Sequence, residues 1–187
     1  MVKPDYRLPR RNALKRKDIE LAWAVIELIW LLPSPKGKHP ETSGKWRFVT
    51  KGQLFVYAVT WLEREVINGG FAQYFWNPAG SLCLQAIEGF NAFGQKRYAN
   101  LLKKAGSVFP GGVPSPSRTQ RMEAIRKLAK EQRARSSDLV FGDCIDVLGE
   151  SLFDKLDDQF YGMYGKGAEY YSAMARYIRS HPDEFFK

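Results

Sequence analysis

A chain of 187 residues, 44% apolar and 14% aromatic, has the composition of one globular domain with a real core, which excludes a disordered or fibrous protein. A formal charge of +9 excludes a uniformly acidic surface. The strongest apolar run, Leu21 to Leu32, is interrupted by Glu27 and falls short of the roughly 20 residues a membrane span needs, so a buried helix and no membrane partner are expected.

That run also makes a poor secretory signal, because it begins late and leads into Pro33, Ser34 and Pro35 instead of a small-residue cleavage site. Cys83 and Cys144 have neither metal nor redox spacing and are too few to staple a chain of this size. A reducing, cytoplasmic compartment follows as the expectation, with both cysteines acting as small core hydrophobes.

The first helix is expected from about Lys15 to Leu32, where Leu21, Val25, Leu28 and Leu32 recur on one face and Pro33 stops the run. Residues 33 to 52 hold three Pro, three Gly and five Lys/Arg, the composition of a loop, with Trp46 and Phe48 as anchors. Arg47 to Thr50 is the one short stretch with a strand period. Phe55, Val59, Leu62 and Val66 then stripe the clearest helix, and Asn68-Gly69-Gly70 supplies a left-handed end. A helical turn from Phe71 to Trp76 stops at Asn77-Pro78.

Further helices are expected over Gly80 to Phe93 and over Gln95 to Val108, the second with Tyr98, Leu101, Leu102 and Ala105 inward. Residues 109 to 117, with three Pro and two Gly, form a break before a basic helix from Thr119 to about Arg135. In that helix only Met122, Ile125, Leu128 and Ala129 form an apolar stripe. Ser151 to Asp154 resembles a capping box opening a helix with Leu152, Leu156 and Phe160. The last helix, about Ala168 to Arg179, buries Tyr171, Met174 and Ile178 and stops at His181-Pro182. The fold class is all-α, a compact single-domain bundle of seven or eight helices without an internal repeat. Residues 1–50 form a basic arm, helix and loop packed on a main domain at 51–187.

Nothing here composes a catalytic or metal site. The two histidines, His39 and His181, sit in a loop and at a helix end, and no HxxxH, HExxH or CxxC occurs. Glu63 and Glu65 are about 200° apart around a helix and cannot act as a carboxylate pair on one face. Asp143 with Asp146, and Asp154 with Asp157 and Asp158, stand at helical spacing, but the simpler reading is first-turn acids on a solvated face. No enzyme and no cofactor are expected.

Charge is distributed unevenly. Residues 1 to 20 carry seven Lys/Arg against three acids, and residues 118 to 135 seven against two. Residues 138 to 158 carry seven acids against one Lys. Arg10, Arg11, Arg16 and Lys17 in the arm, with Arg121, Arg126 and Lys130 in the basic helix, are therefore the candidate nucleic-acid contacts. Asp143, Asp146, Asp154 and Asp157 are the candidate acidic contacts.

The most informative stretch is N-G-G-F-x-Q-Y-F-x-N-x-x-G, from Asn68 to Gly80. Gly69 and Gly70 permit a chain reversal that brings Phe71, Tyr74 and Phe75 onto Trp61 and Val66. Asn68, Gln73 and Asn77 are then placed to satisfy open backbone groups at the helix ends. The alternative is that Asn68, Gly69, Gly70, Phe71, Gln73, Tyr74, Trp76 and Asn77 present an aromatic and amide surface to a partner. This signature resembles that of a family of small bacterial helical domains, long unassigned in function, whose best known member is a DNA-mimic protein. The likeness runs over roughly residues 50 to 187, more weakly through Ala86 to Phe90, Leu156-Asp157, Phe160-Tyr161 and Tyr177-Ile178. It implies an all-α, compact, often dimeric domain without known catalysis.

A DNA mimic arrays carboxylates at phosphate-like spacing, whereas this chain is +9 and only Asp138 to Asp158 could do so locally. The leading functional reading is therefore a regulatory, immunity-type or defence-related protein-binding module. The alternatives are nucleic-acid binding through the basic segments and mimicry through the acidic zone. A homodimer is left open.

Overall fold

The structure, a computed structural model, describes residues 5–30, 49–133, 152–165 and 169–187. Nine helices occur among them: α1 (Arg10–Ala13), α2 (Asp18–Trp30), α3 (Lys51–Trp76), α4 (Cys83–Ala92), α5 (Lys96–Gly106), α6 (Arg118–Arg133), α7 (Asp154–Tyr164), α8 (Glu169–Ser180) and α9 (Pro182–Phe185). Short 3-10 turns cover Pro78–Leu82 and Pro110–Gly112. No strand forms among the described residues, and the one β-bridge pairs Leu8 with Phe186. The fold is all-α.

Helix α3 begins at a capping box. The Thr50 side chain accepts from Gln53 N–H at 3.2 Å, and the Gln53 side chain accepts from Thr50 N–H at 3.1 Å, so two donors with no partner inside the helix are satisfied at once. The strand-like period at Arg47 to Thr50 is thus a helix entry at its last residue, while Trp46, Arg47 and Phe48 lie outside the described residues. Phe55, Val59, Leu62 and Val66 are buried along α3, against which α2, α4, α6, α7 and α9 all pack.

Several expected boundaries move. A separate short helix, α1, comes first, and Leu31 and Leu32 lie outside the described residues; the helix expected from Lys15 starts at Asp18, where Asp18 and Glu20 put acid in the first turn. Its buried face comprises Leu21, Ala22, Val25 and Ile26, with Leu28 half-buried. The helix expected from Gly80 opens as a 3-10 turn, because Pro78 fixes the entry, and becomes α-helical only at Cys83. Gly94, at φ +73°, separates α4 from α5. Helix α7 starts after Phe153 without a side-chain cap, and Ser151, the first residue of the expected box, lies outside the described residues, as does the segment 139–150. Helix α8 ends at Ser180, and the chain adds a further turn, α9.

Both described ends of the chain meet at the start of α3. Leu8 N–H donates to Phe185 O (2.7 Å), Lys187 N–H donates to Leu8 O (2.9 Å), and Gln53 Nε2 donates to Tyr6 O (2.8 Å). The Thr50 hydroxyl also donates to Glu184 O at 3.1 Å. Thr50 therefore couples the helix cap to the closing segment. Thr50→Ala is expected to cost about 1 kcal/mol, read as a lower urea midpoint with an unchanged slope.

Candidate functional site

The signature is built around a break inside α3. Gly69 is extended (φ −166°), while Gly70 adopts φ +71° and ψ −177°, a region open essentially to glycine alone. The break splits α3 into two helical segments, and the second turns back far enough for Gln73 and Asn77 to reach Glu65 on the first. Phe71 lies 6.2 Å from Phe75, 6.3 Å from Phe153 and 5.9 Å from Phe160, and Phe75 lies 4.9 Å from Phe109.

Breaking a helix orphans backbone groups on both sides. Helix α7 satisfies both sides from one face, because Asp157 and Tyr161 are four residues apart. Phe71 N–H donates to Asp157 Oδ1 at 2.8 Å, and Tyr161 Oη donates to Val66 O at 2.9 Å. A β-carbon on Gly70 would strike the Asp157 carboxylate, so this position requires glycine for space as well as for φ. Burial pushes the Asp157 carboxyl up to about 6, the Phe71 N–H opposes this, and Asp154 and Asp158 add to the rise.

The other end of the short segment is held by cations. Arg121 is 0% exposed. Its Nε donates to Phe75 O (3.0 Å), Nη2 to Asn77 O (2.9 Å), and Nη1 to Ser115 O (2.7 Å) and Pro116 O (2.9 Å). Arg118 Nε donates to Trp76 O at 3.1 Å. Burial draws the Arg121 guanidinium down to about 10, which leaves it charged at neutral pH. Gly80 makes room for it: a β-carbon there would lie 2.8 Å from Tyr74 O and 2.9 Å from Arg121 Nε.

The amides of the signature do not cap backbone. Asn68 Nδ2 donates to Gln73 Oε1 (3.1 Å), Gln73 Nε2 to Glu65 Oε2 (2.8 Å), and Asn77 Nδ2 to the same Glu65 oxygen (2.7 Å). Their partner is a side chain because the carbonyls of Phe75, Trp76 and Asn77 are already taken by Arg121 and Arg118. This network edges an open depression of about 590 Å³ that Trp61, Glu63, Glu65 and Tyr164 also line. Glu63 is 7% exposed and accepts from Tyr171 Oη at 3.0 Å on both oxygens. Glu63 and Glu65 thus border one depression yet turn to different partners.

Two sequence-level contacts are corrected. Arg121 cannot reach a nucleic acid, because its guanidinium is inside the fold holding four carbonyls. Asp157 cannot serve as a surface carboxylate, because it is 8% exposed and committed to Phe71 N–H. Arg126 and Lys130 are exposed on α6, with Arg126 lying 5.5 Å from the Trp76 ring. Arg10, Arg11, Arg16 and Lys17 are exposed near the start of α3. Asp154 is exposed, and Asp143 and Asp146 lie outside the described residues. Cys83 is buried, which pushes its thiol up to about 12. Among the described residues no group of His, Cys, Asp and Glu could hold a metal ion, and no helix is long and apolar enough to cross a membrane.

The roles of Asp157, Tyr161 and Arg121 were not read from the sequence. Their partners are 86, 95 and 46 positions away, so no local period marks them. The one local hint is the i, i+4 spacing of Asp157 and Tyr161.

Residues 48–181 match the family model described as DMP19-like protein. The chain belongs to that family. No curated protein and no solved structure matches it. The DMP19-like family takes its name from a DNA mimic, and membership points to a macromolecule-binding role.

The buried carboxyl gives a signed pH dependence. A folded value of about 6 against 3.8 means that the folded chain retains a proton that the unfolded chain releases, so stability falls as pH rises from about 4 to about 6 and is level above. Asp157→Asn keeps an acceptor for Phe71 N–H without a buried charge. It is expected to remove this slope and to be at least as stable at pH 7. Asp157→Ala, which leaves the N–H orphaned, is expected to lose on the order of 2 kcal/mol. Urea titrations across pH 4 to 8 check all three chains. Arg121→Met removes the donor to four carbonyls, that of Phe75 buried among them, and is expected to cost on the order of 3 kcal/mol, visible as a lower melting temperature with the helical circular dichroism retained at 10 °C.

Proposed function

We propose that this DMP19-like chain is a protein-binding module of the regulatory, immunity or defence kind, and that the outer side of the α3 corner is where its partner docks. The observation that carries the reading is the division of labour in the signature. Gly70, Phe71, Tyr74, Phe75 and Gly80 are buried and build the bend, whereas Asn68 is exposed and Gln73 and Asn77 are half-buried around Glu65. The amides are held to one another and to a carboxylate, so the polar surface is fixed in advance and loses little freedom on binding. Ile67, 41% exposed beside Asn68, adds an apolar contact.

Both other readings lose residues. Nucleic-acid binding loses Arg121, which leaves Arg126 and Lys130 as the exposed candidates on α6. Mimicry loses Asp157 from a zone whose described exposed acids are Asp154 and Asp158.

Affinity purification from the native cell after nuclease treatment tests the proposal. One stoichiometric protein partner is expected with the unaltered chain, and its loss with Asn68→Arg at an unchanged melting temperature. Recovery of the chain alone, as monomer or homodimer, or equal capture by the variant, would sink it. Binding to duplex or single-stranded DNA or RNA that falls steeply with log salt would instead favour the basic segments.

A further inference from the structure

Helix α2 has an unusual outer face. It contains Asp18, Glu20 and Glu27 but no Lys or Arg, and it exposes Ile19, Trp23 and Trp30 by 49%, 37% and 39%. These side chains are ordered against neighbours. Trp23 stacks on Tyr171 at 5.8 Å and meets Trp30 edge-on at 5.9 Å. The Arg64 guanidinium lies 4.8 Å from the Trp30 ring and 5.7 Å from the Trp61 ring, bridging α2 to α3. An aromatic strip therefore runs from Trp23 over Trp30 and Arg64 to Trp61, where it meets the depression above Glu63.

The charges along this strip run against the charge of the molecule. Glu27, Glu63 and Glu65 stand beside it against Arg64, on a chain of net charge +9. Glu63 is the telling group. It is buried, its hydrogen bonds come from a tyrosine hydroxyl, and among the described residues no Lys, Arg or His is within ion-pair distance of it. A buried carboxylate supported by a neutral donor alone gains strongly from an added cation in a medium of reduced dielectric. The depression it borders is lined by the aromatic side chains of Trp61 and Tyr164 and by Arg64, whose guanidinium lies over the Trp30 and Trp61 rings. Carboxylate below and rings beside are the surroundings that suit a planar guanidinium, which stacks on aromatic faces and forks onto carboxylate oxygens. A compact ammonium does the first less well and the second not at all. Arg64, placed against Trp30 and Trp61, shows the same pairing within the chain.

We propose that this face docks a partner protein by receiving one of the partner's arginine side chains in the depression over Glu63, with Trp23 and Trp30 covering apolar residues next to that arginine. The inference rests on the protein-binding reading above and specifies the partner's chemistry. The strip is larger than the signature and lies mostly outside it, with three tryptophans, an arginine and a tyrosine, the residue types that dominate interface energetics.

The test uses the full chain and a synthetic probe, acetyl-Leu-Leu-Arg-Leu-Leu-amide, with citrulline, lysine and glutamate in place of arginine as comparison peptides. The readout is the indole N–H resonances of the five tryptophans. Saturable shifts at Trp23, Trp30 and Trp61 are expected with the arginine peptide. Citrulline, which keeps the shape and loses the charge, should weaken binding about tenfold or more, and glutamate should abolish it. Glu63→Gln is expected to remove the preference for arginine over citrulline, and Trp30→Ala, at an exposed position, to weaken both peptides alike. Absence of saturable shifts, equal binding of arginine and citrulline, or shifts confined to other tryptophans would each overturn the proposal. Shifts that follow protein concentration without peptide would assign the face to a second copy of the chain and also overturn it. If capture of the native partner is lost with Asn68→Arg but is unaffected by Glu63→Gln and Trp30→Ala, the arginine pocket fails while the protein-binding module stands.

Discussion

A six-residue helical segment, 71–76, cannot hold itself together, because a helix so short has almost as many unpaired backbone groups as paired ones. Here it is clamped at both ends. Asp157 accepts from its first N–H, and Arg121 and Arg118 donate to its last carbonyls. The signs match the segment's own dipole, with a carboxyl group at the amino end and guanidinium groups at the carboxyl end. Three distant parts of the chain are locked together by this arrangement: the middle of α3, the first turns of α7 and the first turn of α6. The cluster of Phe71, Phe75, Phe109, Phe153 and Phe160 fills the space between them.

The clamp explains why two glycines of the signature, Gly70 and Gly80, stand where they do. Gly70 provides the one backbone conformation that aims Phe71 N–H at Asp157, and its missing side chain is the room the carboxylate occupies. Gly80 provides the room for Arg121. The two charged groups are buried for opposite structural tasks, and the cost of burying each is offset by hydrogen bonds directed at backbone atoms at the ends of the segment. A charge map read from residue types would place both on the surface and would overstate the basic and the acidic zones alike.

With the inner half of the corner consumed by architecture, the outer half is defined by what it does not have to do. Glu65 gathers the amides of Gln73 and Asn77, while Glu63 accepts from Tyr171 and, among the described residues, has no ion-pair partner in a depression that Arg64 also lines. The aromatic strip on α2 reaches the same place from a separate part of the sequence. A locally acidic, aromatic face on a basic molecule acts at short range, since salt at physiological strength screens the overall charge beyond about 8 Å.

The sequence alone determined the helical class, the apolar stripes of the long helices, the bend at Asn68-Gly69-Gly70 and the family, because all of these are carried by neighbours within one or two turns. Only tertiary structure decided that Arg121 and Asp157 are clamps, that the signature amides serve Glu65, and that Arg64 brings Trp30 to Trp61. The physical reason is the same in each case. Whether a charged or amide side chain faces water, a backbone carbonyl or another side chain depends on which orphaned groups the fold brings to it across dozens of residues, and no local period records that.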